Sequence, residues 1–195
     1  MSDKPLKQRI RNINETVLSD DWAVLTKYTY EYQRLDGRWE TQIRQVYDRG
    51  DGATILPYDA TRGTILLIRQ LRFPAFMTGY EKPLIEACAG VLDDDDPETC
   101  VRREAEEELG YRLHDITRLY GPYMSPGSVS ERVWFFTASY TADDHVYAGG
   151  GKPSEGEDIE TLEMPLDEAY AMVTAGDIID AKTIMLIQHL KLSLV

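Results

Sequence analysis

Residues 90 to 111 determine the interpretation of this sequence, and they read Gly90-Val-Leu-Asp-Asp-Asp-Asp-Pro-Glu-Thr-Cys-Val-Arg-Arg-Glu-Ala-Glu-Glu-Glu-Leu-Gly110-Tyr111. Asp96 is a favourable N-cap residue, and Pro97 suits the first position of a helix. Gly110 suits the position just beyond the C-terminus, where a left-handed backbone is common. The sequence therefore predicts a helix of about three and a half turns between Asp96 and Gly110.

This helix carries three carboxylates on one face. At α-helical spacing, Glu104, Glu107 and Glu108 fall within about 100° of arc. Carboxylates this close repel one another unless a cation lies among them, and ligands that are all oxygen favour Mg²⁺ or Mn²⁺. The alternative is an acidic helix face in solvent, which is the usual meaning of a short run of glutamates.

The composition favours one domain, with or without an appendage. The chain has 195 residues, 43% of them hydrophobic, and a formal net charge of −13. This negative charge argues against nucleic-acid or anionic-membrane partners, so a polyanionic substrate would need specific local cations. Cys88 and Cys100 are predicted to be buried thiols. The N-terminus lacks an apolar signal segment and no stretch is long enough to cross a bilayer, which predicts a cytoplasmic protein.

Alternation of apolar residues predicts strands before and after the helix, and loops rich in Gly and Asp separate them. A meander that includes the Asp36-Gly37 turn is too small to be stable alone, so it must pack on the rest of the chain or on a second subunit. The predicted strands are Ile10 to Leu18, Trp22 to Arg34, Trp39 to Tyr47, Ala53 to Tyr58, Thr64 to Arg69, Leu84 to Ala89, Ile116 to Tyr123, Arg132 to Tyr140 and Ile159 to Met164.

Two further helices are predicted near the C-terminus, from Leu166 to Ala175 and from Ala181 to Leu194. Residues 142–158 contain Gly149-Gly150-Gly151 and are predicted to form a mobile loop. The whole pattern predicts an α+β fold in which helices are layered on a sheet.

The segment from Gly90 to Tyr111 resembles the Nudix box, in which a glycine-started loop leads to an Arg-Glu-(apolar)-any-Glu-Glu-any-Gly-(apolar) helix. The match is complete from Arg103 to Tyr111. The loop is one residue shorter than in the family, and Asp96 stands where the family has a glutamate that braces the loop against the helix. This departure affects the loop geometry more than the catalytic residues.

Nearly the whole chain is similar to one branch of the Nudix family, the GDP-mannose pyrophosphatases close to bacterial ADP-ribose pyrophosphatases. The resemblance implies a Nudix α/β/α sandwich over residues 48–195 and an N-terminal antiparallel β region over residues 1–47 that is used for dimerisation. It also implies an Mg²⁺-dependent homodimer in which Mn²⁺ can substitute. It rests on Val46 to Ile55, Ile68 to Arg72, Ile85 to Val91, Tyr123 to Gly127, Gly149 to Gly151, Glu157 to Glu160 and Asp180 to Thr183.

The resemblance implies a metal site built on the box. Glu104 and Glu108 match metal ligands, and Ala89 matches a residue that offers its backbone carbonyl. Glu107 matches the third box carboxylate, which either binds a further metal or supports the cluster. Glu157 matches a loop carboxylate that completes the metal site or positions water. Each acidic loop residue has the alternative of being simply solvated.

The resemblance also implies a set of substrate contacts: Trp22, Arg44, Arg72, Glu131 and Lys182. Arg72 can fork-bind a diphosphate, and its alternative is a surface arginine. Trp22 either stacks on a nucleobase or belongs to a dimer core. Arg44 lies in Ile43-Arg44-Gln45, where the GDP-mannose enzymes have Lys-Arg-Glu, so specificity is less well determined than the reaction class.

The function implied is hydrolysis of the diphosphate bond of a nucleoside diphosphate sugar, with GDP-mannose giving GMP and mannose 1-phosphate. ADP-ribose is the alternative substrate, and a non-catalytic module that binds nucleotide sugars is the alternative class. The catalytic residues implied are Glu104, Glu107, Glu108, Glu131 and Glu157. The general base is Glu157 or Glu131, and a box glutamate is the rival for this role.

Overall fold

The computed structural model describes residues 5–194, which form two compact units. The first unit combines residues 5–51 with residues 123–132, and the second combines residues 52–122 with residues 133–194. Among these described residues, no helix is both long and apolar enough to span a membrane.

The first unit is an antiparallel meander. A short helix α1 (Leu6–Arg9) precedes three strands in the order β1-β2-β3, which are β1 (Ile10–Asp20), β2 (Val24–Gln33) and β3 (Trp39–Asp48). Residues 123–132 join this sheet beside β3, where the Tyr47 N–H donates to the Ser128 carbonyl at 2.8 Å. The three predicted N-terminal strands are confirmed: the first residues Ile10 and Trp39 agree, and the other bounds differ by one or two residues.

Within the described residues of the second unit, seven strands form one mixed sheet. Its main path is β10-β5-β4-β9-β8, with β6 paired to β5 and β7 paired to β4. The strands are β4 (Gly52–Asp59), β5 (Thr64–Gln70), β6 (Leu84–Glu86), β7 (Cys88–Val91), β8 (His114–Tyr120), β9 (Val133–Ser139) and β10 (Glu160–Pro165). Only β4 and β9 are parallel to each other.

Helices cover the sheet of the second unit. They are α2 (Phe73–Met77), α3 (Pro97–Glu104), α4 (Leu166–Ala175) and α5 (Ala181–Ser193). Strand β4 is buried at every position from Gly52 to Pro57, which requires cover on both of its faces. Both α3 and α5 contact β4, so the predicted α/β/α sandwich of the Nudix type is confirmed.

The predicted strand from Leu84 to Ala89 is two strands rather than one. The break lies at Ala87, whose N–H donates to the Thr183 hydroxyl at 2.7 Å instead of to a neighbouring strand. As a result β6 pairs with β5 and β7 pairs with β4. The core of this unit includes Cys88 and Cys100, which are buried free thiols as predicted.

Candidate metal and diphosphate site

The box helix begins and ends at the residues that the sequence predicts. The Asp96 carboxylate accepts hydrogen bonds from the backbone N–H groups of Glu98 and Thr99, so it is the N-cap of α3. Pro97 is the first helical residue, and Gly110 adopts the left-handed conformation at φ 78°. Asp95, next to the cap, accepts from Arg103 Nε at 3.2 Å and ties the loop to the helix.

The second half of this helix is not α-helical. Residues Ala105–Leu109 form a π-helical turn, in which the Gly110 N–H bonds to the Ala105 carbonyl. The prediction that three glutamates share an α-helical stripe is therefore wrong in geometry, because Glu107 and Glu108 lie on the wider turn. Such turns often occur at functional sites.

The glycine-rich segment packs on the C-terminal end of this turn. The N–H groups of Gly150 and Gly151 donate to the carbonyls of Glu108 and Glu107 at 2.9 and 3.0 Å. These carbonyls have no partner within the helix, so the loop satisfies them. A Cβ on Gly149 would lie 2.5 Å from the Glu108 carbonyl oxygen, which explains why glycine is needed there. The mobility expected for residues 142–158 stays a prediction.

Glu104 and Glu108 are buried carboxylates with perturbed acidity. Burial raises the pKa of Glu108 to about 8; hydrogen bonds from Cys88 and the Ala89 N–H oppose this rise, while the negative charges of Glu104 and Glu157 add to it. Burial also raises the pKa of Glu104, against the lowering effect of Arg103. Three carboxylates, from two segments far apart in sequence, thus interact at one place.

Cations of the protein neutralise the outer part of this cluster. Arg103 Nη1 lies 2.8 Å from Glu104 and 3.3 Å from Glu107, and Lys152 Nζ lies 2.8 Å from Glu107. With these ion pairs in place, no group of three or more His, Cys, Asp or Glu in residues 5–194 is arranged to hold a metal ion. The donor set nevertheless fits a hard divalent cation, because mutually repelling buried carboxylates gain most from one.

Glu157 is held at the cluster by the glycine-rich segment. Its carboxylate accepts a hydrogen bond from the Lys152 N–H at 2.7 Å. A Cβ on Gly151 would lie 2.5 Å from the same carboxylate, so glycine leaves room for it. The structure therefore brings together Glu104, Glu107, Glu108 and Glu157 in the second unit, beside Ala89.

Gly90 provides the space that the Glu104 side chain occupies. A Cβ on Gly90 would lie 2.0 Å from Glu104 Oε1 and 2.3 Å from its carboxyl carbon. The end of a glutamate side chain can move aside, whereas the strand that carries Gly90 is fixed by pairing with β4. A larger residue here would therefore displace the carboxylate rather than break the fold.

We expect Gly90→Ala to weaken Mn²⁺ binding by roughly 10- to 100-fold, because the methyl group displaces a predicted ligand. The free energy of unfolding should change by less than about 1 kcal/mol, since Gly90 is not held at a positive φ. Mn²⁺ titration calorimetry and urea unfolding of the metal-free protein measure the two effects. Unchanged Mn²⁺ affinity in a folded variant would contradict this prediction.

Two predicted substrate cations, Arg72 and Lys182, meet at the carboxylate of Glu86, which is not among the predicted site residues. Arg72 Nε lies 2.8 Å from Glu86 Oε2, and Lys182 Nζ lies 3.2 Å from Glu86 Oε1. Glu86 is 3% exposed, and Lys182 also pairs with Asp180 at 2.9 Å. The available signal was a glutamate within the apolar strand before the box, because a buried carboxylate requires cationic partners.

The other predicted residues lie in the first unit. Glu131 forms an ion pair with Arg49 at 3.3 Å, and the Arg49 guanidinium lies 5.3 Å from the centre of the Trp22 ring. Trp22 is 71% exposed, so it is available for stacking. Arg44 lines an open cavity of about 540 Å³ together with Tyr123 and residues 126–130.

Comparison with known proteins identifies the family. Residues 48–186 match the NUDIX domain, and residues 9–47 match the GDP-mannose pyrophosphatase NudK N-terminal domain. The chain belongs to the Nudix family. Members of this family generally use divalent metal ions, which agrees with the carboxylate set on the Nudix helix.

Several relatives share the Nudix domain and the N-terminal region. A GDP-mannose pyrophosphatase of Pectobacterium atrosepticum is 51% identical over 178 residues, which cover 91% of each chain. Proteins of the same name from Shigella dysenteriae and Escherichia coli O157:H7 are 46% identical over 189 residues, or 96% of this chain and 98% of theirs. The resemblance read from the box and its flanking motifs is thus confirmed.

Proposed function

We propose that this protein hydrolyses the diphosphate bond of a nucleoside diphosphate sugar in the presence of Mg²⁺, with GDP-mannose giving GMP and mannose 1-phosphate. The observation that carries the proposal is the cluster of Glu104, Glu108 and Glu157, in which burial raises the pKa of the two box glutamates and the charges of neighbouring carboxylates add to the rise. The names of the relatives support the choice of GDP-mannose.

The residues proposed to hold the metal are Glu104, Glu107, Glu108, Glu157 and the Ala89 carbonyl. A bound Mg²⁺ supplies charge neutralisation at the diphosphate and lowers the pKa of a water molecule. The Ala89 N–H donates to Glu108 at 3.2 Å, which fixes this carboxylate against the strand that carries the proposed carbonyl ligand. For Glu104 and Glu107 to bind a divalent ion, their ion pairs with Arg103 and Lys152 would have to be released.

We propose Glu157 as the general base, because its negative charge acts on both Glu104 and Glu108. A base has to lie within hydrogen-bond reach of the attacking water, directly or through one other water molecule. Glu131 is instead proposed as a substrate contact, together with Trp22, Arg44, Arg72 and Lys182. Its pairing with Arg49 gives it a fixed partner in the first unit.

The proposed assembly is a homodimer formed through the N-terminal β region, residues 1–47, with the hydrolase domain spanning residues 48–195. The sheet of the first unit supports this proposal, because its first strand exposes Ile13 and Val17, each more than half accessible. Apolar side chains grouped on one small sheet are typical of an interaction surface. The cytoplasmic location and the absence of nucleic-acid and membrane partners stay predictions.

A substrate panel tests the proposed function. Purified protein with Mg²⁺ or Mn²⁺ is incubated with GDP-mannose or ADP-ribose, and phosphatase-releasable phosphate is measured. We expect the highest kcat/KM with GDP-mannose and no turnover with a chelator present. A higher kcat/KM with ADP-ribose would make ADP-ribose the substrate instead of GDP-mannose. Binding of either compound without release of a phosphomonoester would favour a non-catalytic module.

A further inference from the structure

Glu86 lies between two cations that belong to different parts of the second unit. Each carboxylate oxygen has its own cationic partner: Oε2 accepts from Arg72 Nε at 2.8 Å, and Oε1 accepts from Lys182 Nζ at 3.2 Å. Gln70 Nε2 is also 3.3 Å from Oε2. Glu86 therefore acts as a shared counter-charge for an arginine and a lysine that would otherwise repel each other.

The backbone around Glu86 is hydrogen-bonded to neighbouring elements. Glu86 pairs with Ile68 of β5 in the sheet. Lys182 lies in the first turn of α5, where Asp180 is the N-cap and Thr183 accepts from the Ala87 N–H. The positions of both cations are thus tied to the strand that leads directly to Ala89.

This arrangement leaves donors of both cations available to a ligand. Glu86 accepts a hydrogen bond only from Nε of Arg72, whose side chain is 40% exposed. Among the described residues, the two terminal guanidinium nitrogens of Arg72 bond to no acceptor. Lys182 uses two of its three N–H groups, on Glu86 and Asp180, and its side chain is 14% exposed. A diphosphate requires such cationic donors in a fixed geometry.

We propose that Glu86 is a positioning residue that holds Arg72 and Lys182 in the geometry required to bind the substrate diphosphate. This proposal rests on the proposed function and adds to it a residue that acts through other residues. Without Glu86 the two cations keep their charge but lose their common partner and therefore their fixed orientation. A misplacement of about 1 Å in a group that contacts the substrate can cost roughly 100-fold in rate.

The test compares Glu86→Gln with wild type in steady-state kinetics on GDP-mannose. Glutamine preserves the volume but removes the charge, so we expect kcat/KM to fall by about 10- to 100-fold, mostly through a higher KM. Glu86→Asp restores the charge and should recover part of the loss. Asp59→Asn is the matched control, because Asp59 is also nearly buried and paired with an arginine, Arg62, and should leave KM unchanged.

A double-mutant cycle separates positioning from mere structural support. In an Arg72→Ala background, Glu86→Gln should lower kcat/KM by less than it does in wild type, since the part of its effect that passes through Arg72 is already lost. Thermal unfolding of each variant shows whether it is folded. The proposal would be overturned if Glu86→Gln left KM unchanged, or if it lowered kcat/KM as much in the Arg72→Ala background as in wild type. Neither result would affect the proposed function.

If wild-type protein does not hydrolyse nucleotide sugars, the proposed function is wrong, and the role of Glu86 is tested separately. The same variants are then compared for binding of inorganic pyrophosphate by calorimetry. Weaker binding by both Glu86→Gln and Arg72→Ala supports the positioning role, whereas equal affinity of all three proteins overturns it.

Discussion

Replacing Glu108 with glutamine is expected to lower Mg²⁺-dependent hydrolysis by roughly 10³-fold, because a metal ion contributes several kcal/mol of charge stabilisation to such a reaction. Glu108 is 2% exposed, and the Ala89 N–H holds its carboxylate in place. Glutamine retains the shape but loses the negative charge that a divalent ion needs. Turnover of GDP-mannose at increasing Mg²⁺ concentration measures this effect.

Glu106 provides the matched control on the same turn. Its side chain is 40% exposed and lies 3.5 Å from Arg112, away from the predicted ligand set. Glu106→Gln should change kcat/KM by less than about twofold, since surface ion pairs contribute little. If Glu108→Gln turned over normally at saturating Mg²⁺, or if both variants lost activity equally, Glu108 would not be a metal ligand.

The second large effect concerns the stability of the metal-free protein as a function of pH. The pKa of Glu108 rises from 4.5 to about 8 on folding, chiefly through burial. Between these values the folded protein keeps a proton that the unfolded chain releases, so this group makes the folded state less stable as the pH rises. Above pH 8 the buried Glu108 lowers the free energy of unfolding by on the order of a few kcal/mol, and below pH 4.5 this effect vanishes.

We therefore expect wild-type protein in chelator to lose stability from pH 5 to pH 8 relative to Glu108→Gln, whose side chain does not titrate. Urea unfolding at several pH values measures this difference. Mn²⁺ should raise the Tm of wild type more at pH 8 than at pH 6, because metal and proton compete for the carboxylate. If the free energies of unfolding of the two proteins changed in parallel with pH, ionisation of Glu108 would not destabilise the metal-free folded state.

The ends of the box helix and the carboxylates that it carries were predictable, because both depend on residues that are close together in the sequence. Asp96, Pro97 and Gly110 act on backbone groups within a few residues of themselves, so their positions in the sequence were sufficient. Apart from the segment from Leu84 to Ala89, the strands of both units were likewise predictable, since each carries its own apolar pattern. The match to the Nudix family then follows from motifs that are continuous in sequence.

Contacts over long separations were not predictable in the same way. The π-helical turn at Ala105–Leu109 ends in carbonyls that accept hydrogen bonds from Gly150 and Gly151, about 40 residues further along the chain. The break at Ala87 depends on Thr183, which follows it by 96 residues. No local propensity encodes either partner, so the α-helical spacing of the glutamates and the single strand from Leu84 to Ala89 were expected instead.

The sequence by itself determined the α+β pattern, the box carboxylates and the family, because these depend on residue type and spacing, and the resemblance to the family then implied the sandwich and the other acidic site residues. Only the tertiary structure decided that Glu86 lies between Arg72 and Lys182, and it placed Glu157, which the resemblance had only implied, beside Glu104 and Glu108. The physical reason is that charges interact through space and through burial. A carboxylate acquires its cation or its raised pKa only when folding removes it from water beside that particular neighbour.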